Sequence, residues 1–176
     1  YGSEMGWRIV DELMQVCGGR GYETAASLQA RGLRGVPVEQ VMRDMRVNRI
    51  FEGSTEIMHL IIAREAMDQH LHVAGDLMEP DLSIERKAKA LGRAGAFYAS
   101  WYPRLAVGRG QAPQSYSDYG ELAGQMRFVE RSSRKLARST FYGMARWQAG
   151  TEAHGAFLGR LVDIGAELFA MSATVV

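Results

Sequence analysis

Apolar side chains recur along this 176-residue chain at three- and four-residue steps, the spacing of one face of an α-helix. In segment 3–17 they are Met5, Ile9, Leu13 and Val16, with Ser3 placed to cap the start. Segment 37–46 opens on Pro37, a good first helical residue, and continues with Val38, Val41, Met42 and Met45. From Ser54 to about Leu71, Ile57, Met58, Leu60, Ile61, Ile62 and Met67 form a wide face expected to be buried. Three longer seams follow. The first runs through Ile84, Ala88, Leu91, Gly95, Tyr98 and Tyr102, with Pro103 as its expected end. The second is Leu122, Met126, Val129, Ser133, Leu136, Thr140, Gly143 and Trp147. The third is Phe157, Leu161, Ile164, Leu168, Met171 and Val175. Runs alternating at period two are nearly absent, so the pattern predicts an all-α fold.

Breakers divide these helices. Gly18, Gly19 and Gly21 end the first. Segment 24–35 reads as an insertion, most simply a surface loop, carrying Arg31 and Arg34 beside glycines. Segments 75–81 and 106–117 read as a linker and a Gly-rich loop. Residues 1–74 are therefore expected to be one helical portion, and 80–176 a small antiparallel bundle appended to it. In that bundle, Gly143 leaves a gap for a large side chain from a neighbouring helix. Leu136, Ile164 and Leu168 are expected in the core, and Arg127, Arg131, Arg134, Lys135 and Arg138 on a solvated face.

Charge narrows the partners. With 21 basic and 20 acidic side chains there is no electrostatic case for nucleic acid. No apolar run reaches the length of a membrane span and no signal peptide is visible, which points to cytoplasm or an organellar matrix rather than secretion. Membrane association is left open but not indicated. Cys17 is the sole cysteine, so an internal disulfide is excluded. His70 and His72 have no sulfur or acid at ligand spacing beside them, and no metal site is expected. The chain opens on Tyr1 and ends on Val176 without a helix stop, and both ends read as cuts in a longer protein.

The candidate chemistry lies in Phe51-Glu52-Gly53-Ser54-Thr55-Glu56-Ile57. Glu52 stands at the mouth of a helix, where the dipole keeps a carboxylate ionised; a ligand that expels water then makes it a stronger base. Gly53 allows a tight turn and the close approach of a substrate. Ser54 or Thr55 can cap the helix and Glu56 suits its first turn. On residue types alone, a simple helix cap is the commoner role for a carboxylate such as Glu52.

The run from Val38 to Ile57, followed by Leu60-Ile61-Ile62-Ala63-Arg64-Glu65, resembles the C-terminal signature of the acyl-CoA dehydrogenases. Gln15-Val16-Cys17-Gly18-Gly19-Arg20-Gly21-Tyr22 resembles that family's Gln-x-x-Gly-Gly-x-Gly motif. The resemblance covers roughly residues 6–70. It implies that Glu52 removes the α-proton of an acyl-CoA thioester while hydride leaves the β-carbon for flavin N5. The Glu52 backbone N–H would bond the thioester carbonyl beside Gly53. It further implies FAD as cofactor, with Gln15, Val16, Cys17, Gly18 and Gly19 against the adenosine end of FAD in a neighbouring subunit. Ser54, Thr55 and Glu56 would contact its phosphate and flavin. Arg43 and Asp44 match a structural Arg-Asp pair expected to hold the turn before Glu52. An electron-transferring flavoprotein as acceptor and a homodimer or homotetramer complete the expectation. The alternatives are an acyl-CoA oxidase, or a non-catalytic helical interaction module that kept the motif as scaffold.

Overall fold

Helix α1 (Gly2–Cys17) carries the first apolar seam and stops where Gly18 takes φ 57°, a left-handed value that a side chain resists. The computed structural model describes residues 1–51, 54–79 and 81–176, without the side chains of Met78 and Ala149. Glu52, Gly53 and Pro80 thus lie outside the described residues. Seven further helices follow: α2 (Gly19–Tyr22), α3 (Ala25–Ala30), α4 (Val38–Val47), α5 (Thr55–Ala74), α6 (Ile84–Ala106), α7 (Ala123–Trp147) and α8 (Gly155–Val175). Short 3-10 turns at Gly75–Met78, Arg109–Gln111, Ser117–Leu122 and Gln148–Ala153 link the later ones. Among the described residues there is no strand, and the all-α expectation holds.

Packing divides the chain into two units, Tyr1–Met58 and His59–Val176. The division falls inside α5 and not in the 75–81 linker. In the first unit α1 packs on α4, with Gly6 directly against the Met45 methyl, and Val10, Leu28 and Val38 are buried. The expected α1 seam is a correction. Ile9 is 62% exposed and Val16 84%, while Val10, between the predicted positions, takes the buried place. The same holds at the start of α5. Ile57, Met58, Leu60, Ile61 and Ile62 are exposed, and only Met67 of the predicted face is buried, beside Ala63. Apolar residues surround this stretch on every side, so periodicity could not single out one face.

The insertion 24–35 is not a loop throughout. Thr24 Oγ1 accepts the Ser27 N–H at 3.2 Å and caps α3. Arg31 pairs with Glu23 at 3.0 Å, which ties the far end of this piece back to its start.

In the second unit, Ala63 and Met67 of α5 pack with Leu158 and Val162 of α8, and Met144, Phe157 and Leu161 close around them. The expected three-helix bundle therefore has a fourth member. The α6 seam is also shifted. Ile84 and Leu91 are exposed, and Ala90 and Ala94 are buried instead, small residues that bring the helix close to its neighbours. Pro103 does not end α6, which runs on to Ala106. Proline removes one donor there, within the last turn, and its own carbonyl still accepts the Val107 N–H at 3.3 Å.

On α7 the seam positions Val129, Thr140 and Gly143 are buried as the spacing predicts. The Gly143 gap is filled by Phe157 of α8, whose Cζ lies 2.5 Å from where a Cβ would stand. On α8 Leu168 is 7% exposed but Ile164 is 48% exposed, so Ile164 is not a core residue. The arginine run on α7 is not a simple solvated face either. Arg127 donates to the Ser115 carbonyl at 3.0 Å and Arg131 to the Gly110 carbonyl at 2.6 Å, while Glu130 accepts the Gly110 N–H at 2.8 Å and pairs with Arg134 at 2.6 Å. These bonds fasten the segment predicted as a loop onto the helix.

Candidate active site

The first unit builds the flanks of positions 52 and 53. Beyond α4 the backbone continues in turns, with the Ile50 and Phe51 N–H groups both bonded to the Val47 carbonyl. After position 53, the Met58 N–H bonds the Ser54 carbonyl at 2.9 Å and opens α5. The Ser54 hydroxyl sits 3.5 Å from the Ile57 N–H, a long cap. Glu56 is exposed in the first turn.

One carboxylate joins both flanks. Glu4 Oε1, on the first turn of α1, accepts from Arg49 Nε at 2.7 Å and from the Thr55 hydroxyl at 2.6 Å. Arg49 and Thr55 each stand three residues from position 52, so Glu4 clamps the chain on both sides of the predicted base. The Thr55 hydrogen bond first, then Arg49's bond and charge with the charge of Arg8, hold the Glu4 carboxyl below its usual range, against the opposing effect of burial. Trp7 lies next to the clamp, with Arg46 and Arg49 guanidinium carbons 5.3 and 5.7 Å from its ring centre. Among the described residues, Arg43 and Asp44, expected to hold this turn, have side-chain partners on α4. Arg43 pairs with Glu39 at 3.1 Å and Asp44 accepts from Gln40 at 2.8 Å. Sequence reading missed Glu4, because nothing in its neighbourhood marks a partner 45 or 51 residues away.

The other predicted cofactor residues close α1. Gln15, Val16, Gly18 and Gly19 are exposed and Cys17 is half-buried. A Cβ at Gly18 or Gly19 would meet no atom within 4 Å, so the backbone there is open to a ligand. A cavity of about 380 Å³ beside it is lined by Val16, Cys17, Arg20, Leu28, Arg34 and Val38, among others. Arg34 of the insertion and Arg20 of the glycine motif thus line the same cavity as Val16 and Cys17. A larger cavity, about 640 Å³, is lined by Trp7, Met14, Tyr22, Met42, Arg43 and Arg46, among others.

The glycine backbone at the end of α1 is thus open, and two guanidiniums, Arg20 and Arg34, line the cavity beside it. Glu4, bonded to Thr55, and Gly18 are 14 residues apart along α1, roughly 20 Å at the helical rise. The two predicted groups of one chain therefore cannot grip the same part of one cofactor. As for metals, no group of three or more His, Cys, Asp or Glu among the described residues is placed to hold an ion. His72 pairs with Asp68 at 3.2 Å and His59 lies 3.6 Å from Asp163. Nor is any helix among the described residues long and apolar enough to cross a membrane.

The family profile of the acyl-CoA dehydrogenase C-terminal domain matches residues 1–67. The whole chain is 62% identical over 176 residues to "Probable acyl-CoA dehydrogenase FadE10" of Mycobacterium tuberculosis, covering 27% of that protein. This chain is a member of the acyl-CoA dehydrogenase family. Shorter matches within the family include the mitochondrial very long-chain specific acyl-CoA dehydrogenase of Homo sapiens, 36% identical over 76 residues (43% of this chain, 10% of that one). The mitochondrial isobutyryl-CoA dehydrogenase of Dictyostelium discoideum is 42% identical over 65 residues (36% of this chain, 13% of that one). The chain spans about a quarter of the length of the mycobacterial relatives it matches. No solved structure matches it significantly.

Proposed function

We propose that this chain is the C-terminal part of a flavin-dependent acyl-CoA dehydrogenase that converts an acyl-CoA thioester to its trans-2-enoyl-CoA. Glu52 is the general base. Its carboxylate takes the α-proton, and its backbone N–H, beside Gly53, donates to the thioester carbonyl as negative charge gathers there. FAD supplies the two-electron acceptor for the β-carbon. Gln15, Val16, Cys17, Gly18 and Gly19 hold the adenosine end, with Arg20 and Arg34 toward phosphate, and Ser54, Thr55 and Glu56 lie along the phosphate and flavin end. The separation of these two groups along α1 supports a cofactor shared between subunits of a homodimer or homotetramer. An electron-transferring flavoprotein then removes the electrons, in cytoplasm or an organellar matrix.

The Glu4 clamp carries this reading. A carboxylate that bonds Arg49 and Thr55 together fixes the described residues three positions before and three positions after the proposed base, and proton abstraction at one carbon demands such fixed surroundings. The exposed apolar faces of α1 and α5 support packing against the remainder of a longer enzyme. The test is Glu52→Gln in the full-length protein, with FAD content and anaerobic flavin bleaching by acyl-CoA both measured. FAD should stay bound and the bleaching rate should fall by about 10²–10⁴. Bleaching near the wild-type rate would remove Glu52 from this role. Hydrogen peroxide formed in step with turnover would replace the flavoprotein acceptor by oxygen.

A further inference from the structure

The second unit contains a cavity of about 300 Å³ that has no part in the proposed dehydrogenation. Helices α5, α6 and α7 meet around it, with His70, Tyr98, Phe141, Met144, Leu77 and Gln148 among its lining residues. The volume is at the lower end of small-molecule pockets and far too small for a dinucleotide or a coenzyme A. No Asp, Glu, Lys or Arg stands among the described lining residues, so an ionised ligand would enter without a counter-charge.

The polar groups are few and held firmly. His70 Nδ1 lies 3.1 Å from the Tyr98 hydroxyl and the two rings are stacked at 5.8 Å. Trp101 meets the His70 ring edge-on at 4.8 Å, and Phe141 sits 5.0 Å from Tyr98. Burial pushes the His70 pKa down and the Tyr98 pKa up, so both remain neutral near pH 7. In a neutral pair only one proton is shared. If Tyr98 donates to Nδ1, its oxygen can still accept; if Nδ1–H donates, the phenol proton is left to give. Gln148 adds an amide at the rim and takes φ 49°, a costly angle for a residue with a side chain. Glycine would relieve that angle but would remove the amide from the wall.

We propose that this cavity binds a small uncharged molecule, mostly apolar and carrying one hydroxyl, with the hydroxyl against the His70–Tyr98 pair and the body against Phe141, Met144 and Leu77. A hydroxyl suits the pair because it donates and accepts alike. An aromatic body suits the ring-lined walls.

The 176-residue chain with 13C-methyl methionine is titrated with p-cresol, with toluene and with p-toluate at pH 7. The Met144 signal, identified through Met144→Leu, and tryptophan fluorescence are followed. The Met144 shift should saturate with p-cresol. Toluene, which lacks the hydroxyl, should bind about 2- to 10-fold more weakly. The p-toluate anion should bind at least ~100-fold more weakly. Tyr98→Phe should keep toluene binding and erase the preference for p-cresol. Ala145→Trp, which places an indole in the cavity, should abolish both. No saturable shift with either neutral probe, comparable binding of p-toluate, or an unchanged preference in Tyr98→Phe would each overturn the proposal. If Ala145→Trp fails to fold, the Tyr98→Phe comparison still decides.

Discussion

Glu4 shows how much one side chain can do when it closes a loop in space. Its folded pKa lies below the ordinary value of 4.5, so at pH just under 4.5 the unfolded chain takes up protons that the folded chain refuses. The contribution of the clamp is therefore complete above pH 4.5 and declines as pH falls from there to the folded value. His70 acts in a different window. Its folded pKa lies below 6.5, because burial disfavours the charged ring, so its stabilising contribution is complete above 6.5 and declines as pH falls below it. Urea denaturation as a function of pH should show the first loss of stability below 6.5 and a second below 4.5. Glu4→Gln should flatten only the second, and His70→Phe only the first. In the longer enzyme Glu4→Gln should also slow flavin bleaching while leaving FAD bound, since it frees both flanks of Glu52. Unchanged bleaching would make Glu4 purely structural.

Helix contacts in the second unit depend on small residues as much as on large ones. A Cβ at Gly143 would run into Phe157 and come within 3.2 Å of Trp147. Gly143→Ala should therefore destabilise the chain, since overpacking at about 1–3 kcal/mol outweighs the helix-propensity gain of about 1 kcal/mol. Gly92→Ala in α6, where a Cβ meets nothing within 4 Å, should stabilise it by roughly 0.5–1 kcal/mol. Thermal melts of the two variants should move in opposite directions. On α8, Leu168→Asp should cost several times more than Ile164→Asp, because only Leu168 is buried. Equal costs in denaturant would mean that α8 is rotated from the orientation described. The helices themselves were legible in the spacing of apolar residues. The buried face was legible on α7, where Val129, Thr140 and Gly143 lie on the predicted seam, but not on α6, where a scan for large aliphatic residues passes over Ala90 and Ala94.

At the scale of the whole molecule, the proposed assignment gives this chain only one edge of a flavin site. Open glycine backbone and the start of α5 bury too little of a dinucleotide to offset the cost of ordering it. The purified 176-residue chain should be colourless, and the longer enzyme yellow. Stoichiometric flavin on the 176-residue chain would relocate the site. The exposed apolar faces of α1 and α5 should also bind a hydrophobic dye in the 176-residue chain and lose that binding in the longer enzyme.

Sequence alone determined the all-α class, the order of the helices other than the short α2 and α3, and the family, because helical periodicity, glycine breaks and ordered motifs are local along the chain. It also placed a filled gap at Gly143. Tertiary structure alone decided which stripe of α1, α5 and α6 is covered, that the α7 arginines fasten the 108–115 segment, and that α5 contributes to the second unit. It alone joined Glu4 to Arg49 and Thr55, and gathered His70, Tyr98 and Phe141 around one cavity. Each of these depends on contacts between residues far apart in sequence, and no pattern of period three and four carries information across that distance.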